Sequence, residues 1–275
     1  MLCCKERVSL DQLKQMETPN ATDTHQPIPH YEAVSTVLNR MSSMNYELTA
    51  DPEIGISHEG NRCYWLFKVA NDIMAKDWGT IIGGRNSHDK VFSFDIFGGY
   101  NVFICENMMA TGEVKVGTKH TVHVYDRFTK RVDEALMKID RSNLVNQDRI
   151  AKYKEFTLPR EDFDNEEILN DKNEVIEIKQ TYESSPFMND FVIKSMYKGI
   201  ISPSSTKKVL DQWKQPKYEE FARRNAWSLS NAYTETFKGY DNPSQAYQRG
   251  IKLTSMIDEL VGFPAQHLNE TKEIN

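Results

Sequence analysis

The most chemically loaded stretch of the chain is Arg85-Asn86-Ser87-His88-Asp89-Lys90, set directly after Gly83-Gly84 at the end of an apolar run. An arginine can fork onto phosphate, a lysine adds charge, and paired glycines let a ligand approach the backbone closely. Asn86 carries the donor and acceptor that read a base edge. The same residues also suit a polar turn, in which Asn, Ser and Asp side chains satisfy local backbone groups and His88 and Asp89 orient one another. Both readings stand at this level.

A second group lies at Lys119, His120, His123 and Arg127. Apolar spacing predicts a long helix from about Thr121, through Tyr125, Phe128, Val132, Leu136 and Ile139. Cations at the positive end of a helix are unfavourable unless an anion is bound there, which points to phosphate. The bland alternative is a helix that starts later, with these residues on an exposed strand. Together the two groups define a candidate nucleic-acid contact of Arg85, Asn86, His88, Lys90, Lys119, His120, His123 and Arg127.

Other chemistries are weaker. His88, Asp89, Cys105, Glu106, His120 and His123 include metal-ligand types, but no spacing matches a zinc signature, and no metal or other cofactor is expected. Cys105 sits in an apolar run, where a thiol is usually an inert hydrophobe. No G-x-x-x-x-G-K-[ST] loop occurs. Trp227, Tyr233 and Tyr240 could stack on bases, but their helical spacing favours the core.

The charge balance restricts the partners. At net −6 over 275 residues, the chain does not coat nucleic acid by charge alone. The distribution is uneven, however. Lys115, Lys119, Arg127, Lys130 and Arg131 face only Asp126, whereas Glu155 to Glu177 is strongly acidic. Four scattered cysteines give neither a disulfide framework nor a metal knuckle, no apolar run is long enough to span a bilayer, and the start lacks a signal-peptide core; a cytoplasmic protein is expected.

The elements that must position these groups suggest an α+β fold, with an antiparallel sheet, flanking helices and a mainly helical C-terminal half. Residues 1–30 read as an extended arm with a short amphipathic piece at Leu10, Leu13 and Met16. Residues 31–140 form the α+β core carrying the polar motif, and 141–275 the helical half packed on it. Within the core, a helix is expected over Tyr31–Met44 and strands over Tyr46–Ile56, Arg62–Val69, Trp78–Ile82, Val91–Phe97 and Tyr100–Cys105. Gly98-Gly99 reads as a hairpin turn between the last two strands. Lys172–Ser185 is a strand or a loop. Further helices follow Ser202-Pro203 and Asn242-Pro243, with another over Tyr218–Phe237.

Four words in one order carry a resemblance: Thr18-Pro19 with Pro27-Ile28-Pro29-His30, Gly83–Lys90 (GGRNSHDK), Val102–Asn107 (VFICEN) and Trp227–Glu235 (WSLSNAYTE). The sequence resembles the phage- and plasmid-associated domain of unknown function over most of its length, with Glu106 where aspartate is common. The resemblance implies a role on mobile DNA but carries no reaction. The expected function is non-enzymatic binding of nucleic acid, single-stranded DNA above all, in phage or plasmid replication, recombination or annealing. Two alternatives are an inhibitor of a host defence or recombination enzyme working through its acidic segment, and a metal-dependent hydrolase on the histidines. A homo-oligomer is compatible with the arm.

Overall fold

The computed structural model describes residues 6–70, 78–102, 107–159, 164–169, 175–181, 186–238 and 243–264, with backbone alone for 107–113, 164–169, 175–181 and 243–244. Its centre is a six-stranded antiparallel meander: β1 (Glu6–Arg7), β2 (Glu53–Ser57), β3 (Arg62–Val69), β4 (Trp78–Ser87), β5 (Phe94–Val102) and β6 (Asn107–Thr118), in that spatial order. Helices α1 (Leu10–Lys14) and α2 (His30–Ser43) precede β2, and α3 (Val124–Glu155) follows the sheet. The rest comprises a separate hairpin of β7 (Asp164–Leu169) with β8 (Val175–Thr181), and helices α4 (Pro186–Tyr197), α5 (Pro203–Lys214), α6 (Ala226–Phe237) and α7 (Pro243–Val261). The expected α+β architecture is present.

The 32-residue α3 joins two cores. Its first half buries Phe128, Val132, Leu136 and Ile139 with Val34, Val37 and Met41 of α2 and Trp65, Phe67 and Ile96 of the sheet. Its second half contributes Ile150 and Tyr153 to a cluster with Trp213, Trp227, Tyr233 and Leu253 from α5 to α7. A buried polar joint locks that second half: Arg149 donates through Nε to Asp258 of α7 at 2.9 Å, and the Tyr153 hydroxyl donates to the same carboxylate at 2.7 Å. Trp227 and Tyr233 are core residues, as their spacing suggests; Tyr240 lies outside the described residues.

Several local expectations are corrected. Gly98-Gly99 is not a turn: β5 runs straight through it, with a register shift against β6 between Phe97 and Gly99. A side chain at Gly98 would come within 2.9 Å of Ile139 Cγ1, so the residue serves the close approach of α3 to the sheet. Strand β4 extends past Ile82 to Ser87, because Gly83 and Gly84 are filled from across the sheet. A Cβ there would meet the Phe97 ring at 2.2 Å and the Trp65 ring at 2.1 Å, respectively. The pair makes room for aromatic rings rather than for a ligand.

The expected strand over Tyr46–Ile56 shrinks to β2, with Leu48 forming only an isolated bridge to Val69. Tyr218–Phe237 divides into a 3-10 turn (Glu219–Arg223) and α6, because Arg224 turns left-handed (φ 55) and Asn225 caps the Ser228 amide. As expected, Ser202-Pro203 opens α5 with proline in its first turn. The cap expected at Asn242 lies outside the described residues. The arm is more regular than its prolines suggest. Strand β1 pairs with β2, and a Ser9–Gln12 capping box opens α1.

Candidate functional site

The two polar words meet. Antiparallel register places Arg85 opposite Asp95 and Asp95 opposite Gly117, so the end of β4, the start of β5 and the end of β6 share one end of the sheet. The link between them is Ile28, fully buried, from the N-terminal arm. Its carbonyl accepts from Asn86 Nδ2 at 2.8 Å and from His88 Nε2 at 2.9 Å. Its amide donates to His120 Nδ1 at 3.2 Å, and the Gln26 amide donates to the His120 carbonyl at 3.0 Å. Asn86 Nδ2 also donates to His30 Nδ1 at 2.8 Å. His30 Nε2 donates to the Gly60 carbonyl at 2.9 Å while the ring stacks on His88, 3.7 Å away and nearly parallel. The arm therefore docks on its own chain.

These contacts fix the protonation states. A carbonyl only accepts, so His88 and His30 carry their protons on Nε2; His120 Nδ1 accepts from an amide and is bare. Burial is the main cause of the low basicity of all four rings here. His30 is lowered from 6.5 to about 3 by burial, then by the neighbouring His88 and His120. His120 falls to about 4 through burial, His25 and His88. His88 and His25 are lowered too, the latter by burial and then by Lys90. At neutral pH the cluster is a set of uncharged imidazoles holding an apolar residue.

The neighbouring charges are internally matched. Arg85 pairs with Asp95 at 2.7 Å and lies over the Phe92 ring at 4.6 Å. The absent side chain at Gly117 leaves room for that carboxylate, since a Cβ would lie 2.2 Å from Asp95 Oδ1. Asp89 pairs with Arg62 at 2.6 Å and accepts from Ser87 and the Val91 amide. Burial works against its charge, but these partners outweigh it and hold the carboxyl below its ordinary range.

Of the eight candidate contact residues, Asn86, His88 and His120 are buried in this latch and Arg85 is ion-paired. Lys90, Lys119, His123 and Arg127 are exposed. Lys90 sits in the left-handed turn (φ 64) after β4 and lies close enough to His25 to lower its basicity; His25 in turn packs 5.5 Å from the His120 ring. Lys119 is adjacent to His120 in the chain, and Arg127 Nη2 reaches Thr121 Oγ1 at 3.5 Å. These cations form a rim around the latch. Among the described residues, Lys90 and Lys119 have no ion-pair partner.

The helix-terminus argument is corrected in the same place. Helix α3 begins at Val124, three residues later than expected, with His123 at its N-cap and 3.3 Å from Asp126. His120 precedes the helix, buried and neutral, so it does not oppose the dipole. No group of three or more His, Cys, Asp or Glu among the described residues is placed to hold a metal. Cys105 and Glu106 lie outside the described residues. His88 Nε2 and His120 Nδ1 are committed to Ile28.

Sequence reasoning did not assign His25, Ile28, His30 or Arg62 to the site. The arm word Pro27–His30 was visible, but nothing in its spacing joins it to residues some 60 and 90 positions on. No protein-family model, no curated protein and no solved structure matches the chain. Among the described residues, no helix is long and apolar enough to cross a membrane.

Proposed function

We propose that the protein is a non-enzymatic binder of single-stranded nucleic acid, acting on phage or other mobile DNA, with its contact at the rim of the latch. The observation that carries this reading is the convergence of Lys90, Lys119 and Arg127, exposed at one end of the sheet while the buried charges beside them are neutralised internally. Uncommitted cations on an otherwise acidic protein favour a localised polyanion contact over general coating. The latch supplies the rigid base for them; it is a positioning device, not a reactive one. The mobile-element context rests on the sequence resemblance alone.

Fluorescence anisotropy with labelled single- and double-stranded oligonucleotides, at low and physiological salt and with metal chelated, tests the reading. Salt-sensitive binding of the single strand that Lys119→Gln with Arg127→Gln weakens is expected. No binding at low salt overturns it.

One observation favours the second reading, an inhibitor of a host protein. The acidic segment forms its own hairpin, β7 with β8, rather than joining the main sheet. Neutralising Glu166 and Glu167 together would abolish that activity and leave oligonucleotide binding intact.

A further inference from the structure

A cleft of about 660 Å³, the size of a small-molecule site, lies beside the latch. One wall is the arm just after α1, at residues 16–20; the other is the turn between β2 and β3, at residues 59–61; His88 completes it. The turn is pinned to the latch. The His88 amide donates to the Asn61 carbonyl at 2.8 Å, and the Gly60 carbonyl accepts from His30. The arm closes tightly on this turn, since a Cβ at Gly60 would lie 2.6 Å from Met16 Cε. The lining is rich in acceptors. Glu17 and Glu59 are exposed and have no ion-pair partner among the described residues, and no lysine or arginine is among the residues lining the cleft. Asn61 commits its Nδ2 to the His58 carbonyl, which leaves Oδ1 as an acceptor. His88 is only 7% exposed, and its Nε2 donates to Ile28. Its Nδ1 is therefore a bare acceptor, with no partner among the described residues. A buried imidazole nitrogen without a donor, in the lining of a cleft with two unmatched carboxylates, calls for N–H groups from outside the chain.

We propose that the cleft binds a small organic cation bearing ammonium or guanidinium groups, with the Glu17 and Glu59 carboxylates as its counter-charges and His88 Nδ1 accepting from one of its N–H groups. A compact metal ion fits less well, because no three His, Cys, Asp or Glu side chains among the described residues are placed to hold one. An extended cation instead satisfies acceptors spread over two walls. Burial keeps His88 below its ordinary basicity, so Nδ1 stays an acceptor at neutral pH. Occupancy joins the arm to the turn through the ligand, on the same histidine whose other nitrogen holds Ile28, so the ligand fastens the latch. The site is separate from the cationic rim and does not depend on nucleic-acid binding.

Isothermal titration calorimetry of the full chain at neutral pH and physiological salt, with agmatine and spermidine as probes, tests the site. One saturable site is expected for at least one of the two, and none for glutarate, a flexible dianion. Glu17→Gln with Glu59→Gln should weaken binding about tenfold or more, since each carboxylate makes a charge-assisted contact. Asp148→Asn with Asp211→Asn removes the same charge from exposed positions elsewhere and should leave the affinity unchanged. Circular dichroism checks that both double variants are folded. His88 stays intact, because it holds the arm, and is followed by nitrogen NMR: its Nδ1 resonance should move as the probe binds while Nε2 keeps its proton. Amide exchange at Ile28 should slow at the same time. No saturable binding of either probe, equal weakening in the two double variants, or a His88 Nδ1 resonance unmoved by a bound probe overturns the site.

Discussion

Acidification should release the arm, and the size of the effect follows from the buried rings. His30 and His120 are 2% and 6% exposed, with folded values near 3 and 4 against 6.5 in an unfolded chain. The fold thus binds their protons more weakly than the unfolded chain does. The stabilisation is complete above about pH 6.5 and is lost as pH falls below it. At pH 5 each unfolded ring gains about 2 kcal/mol from protonation that the folded ring forgoes, so the pair costs about 4 kcal/mol between pH 7 and pH 5. Asp89, held below its ordinary value, stays ionised across this window, which leaves imidazoles as the main titrating groups. Protonation would also cost specific contacts. A charged His120 cannot accept the Ile28 amide, nor a charged His30 the Asn86 amide. Urea denaturation at the two pH values measures the loss, and amide exchange locates it in residues 22–30. A stability change under about 1 kcal/mol, or imidazole resonances of His30 and His120 titrating near pH 6.5, would refute the latch as described.

Three mutations probe the same architecture. Asn86→Asp replaces the donor that bridges Ile28 and His30 with an acceptor; it should destabilise by about 3–5 kcal/mol in urea, and a loss under about 1 would deny Asn86 its bridging role. Gly84→Ala drives a methyl into the Trp65 ring, costing about 1–3 kcal/mol with a shift in tryptophan fluorescence; wild-type behaviour would mean the ring moves freely. Asp258→Ala leaves Arg149 buried without its carboxylate and should cost about 3–5 kcal/mol, while Arg149→Met with Asp258→Leu recovers most of it. A double variant no better than the single would show that the pair contributes more than mutual neutralisation.

The fold class was legible because its signals are local. Periodicity placed α2 and the first half of α3, and β3 was found at its true bounds, since aromatic and β-branched runs need no partner to be recognised. The failures came where distant residues decide. Gly98 looks like a turn until Ile139 of α3 is seen pressing on it, and Gly83-Gly84 look like a ligand cradle until Phe97 and Trp65 fill the space. The candidate site shows the same limit. Arg85, Asn86, His88 and His120 stand out in the sequence as a polar group, but their partners Asp95, Ile28 and His30 come from other strands or from the arm. The pairing depends on register across the sheet and on where the arm crosses it, which no spacing in the sequence encodes.

Photocrosslinking addresses the central claim most directly. A single-stranded oligonucleotide carrying a photoreactive base would be irradiated with the full-length protein at low salt, and the adducts mapped by mass spectrometry. Adducts are expected near Lys90 and in the segment from Lys119 to Arg127, vanishing at high salt and on competition with unlabelled single strand. Adducts confined to other surfaces, or none at all under conditions where a known single-strand binder crosslinks, would contradict nucleic-acid binding at this face.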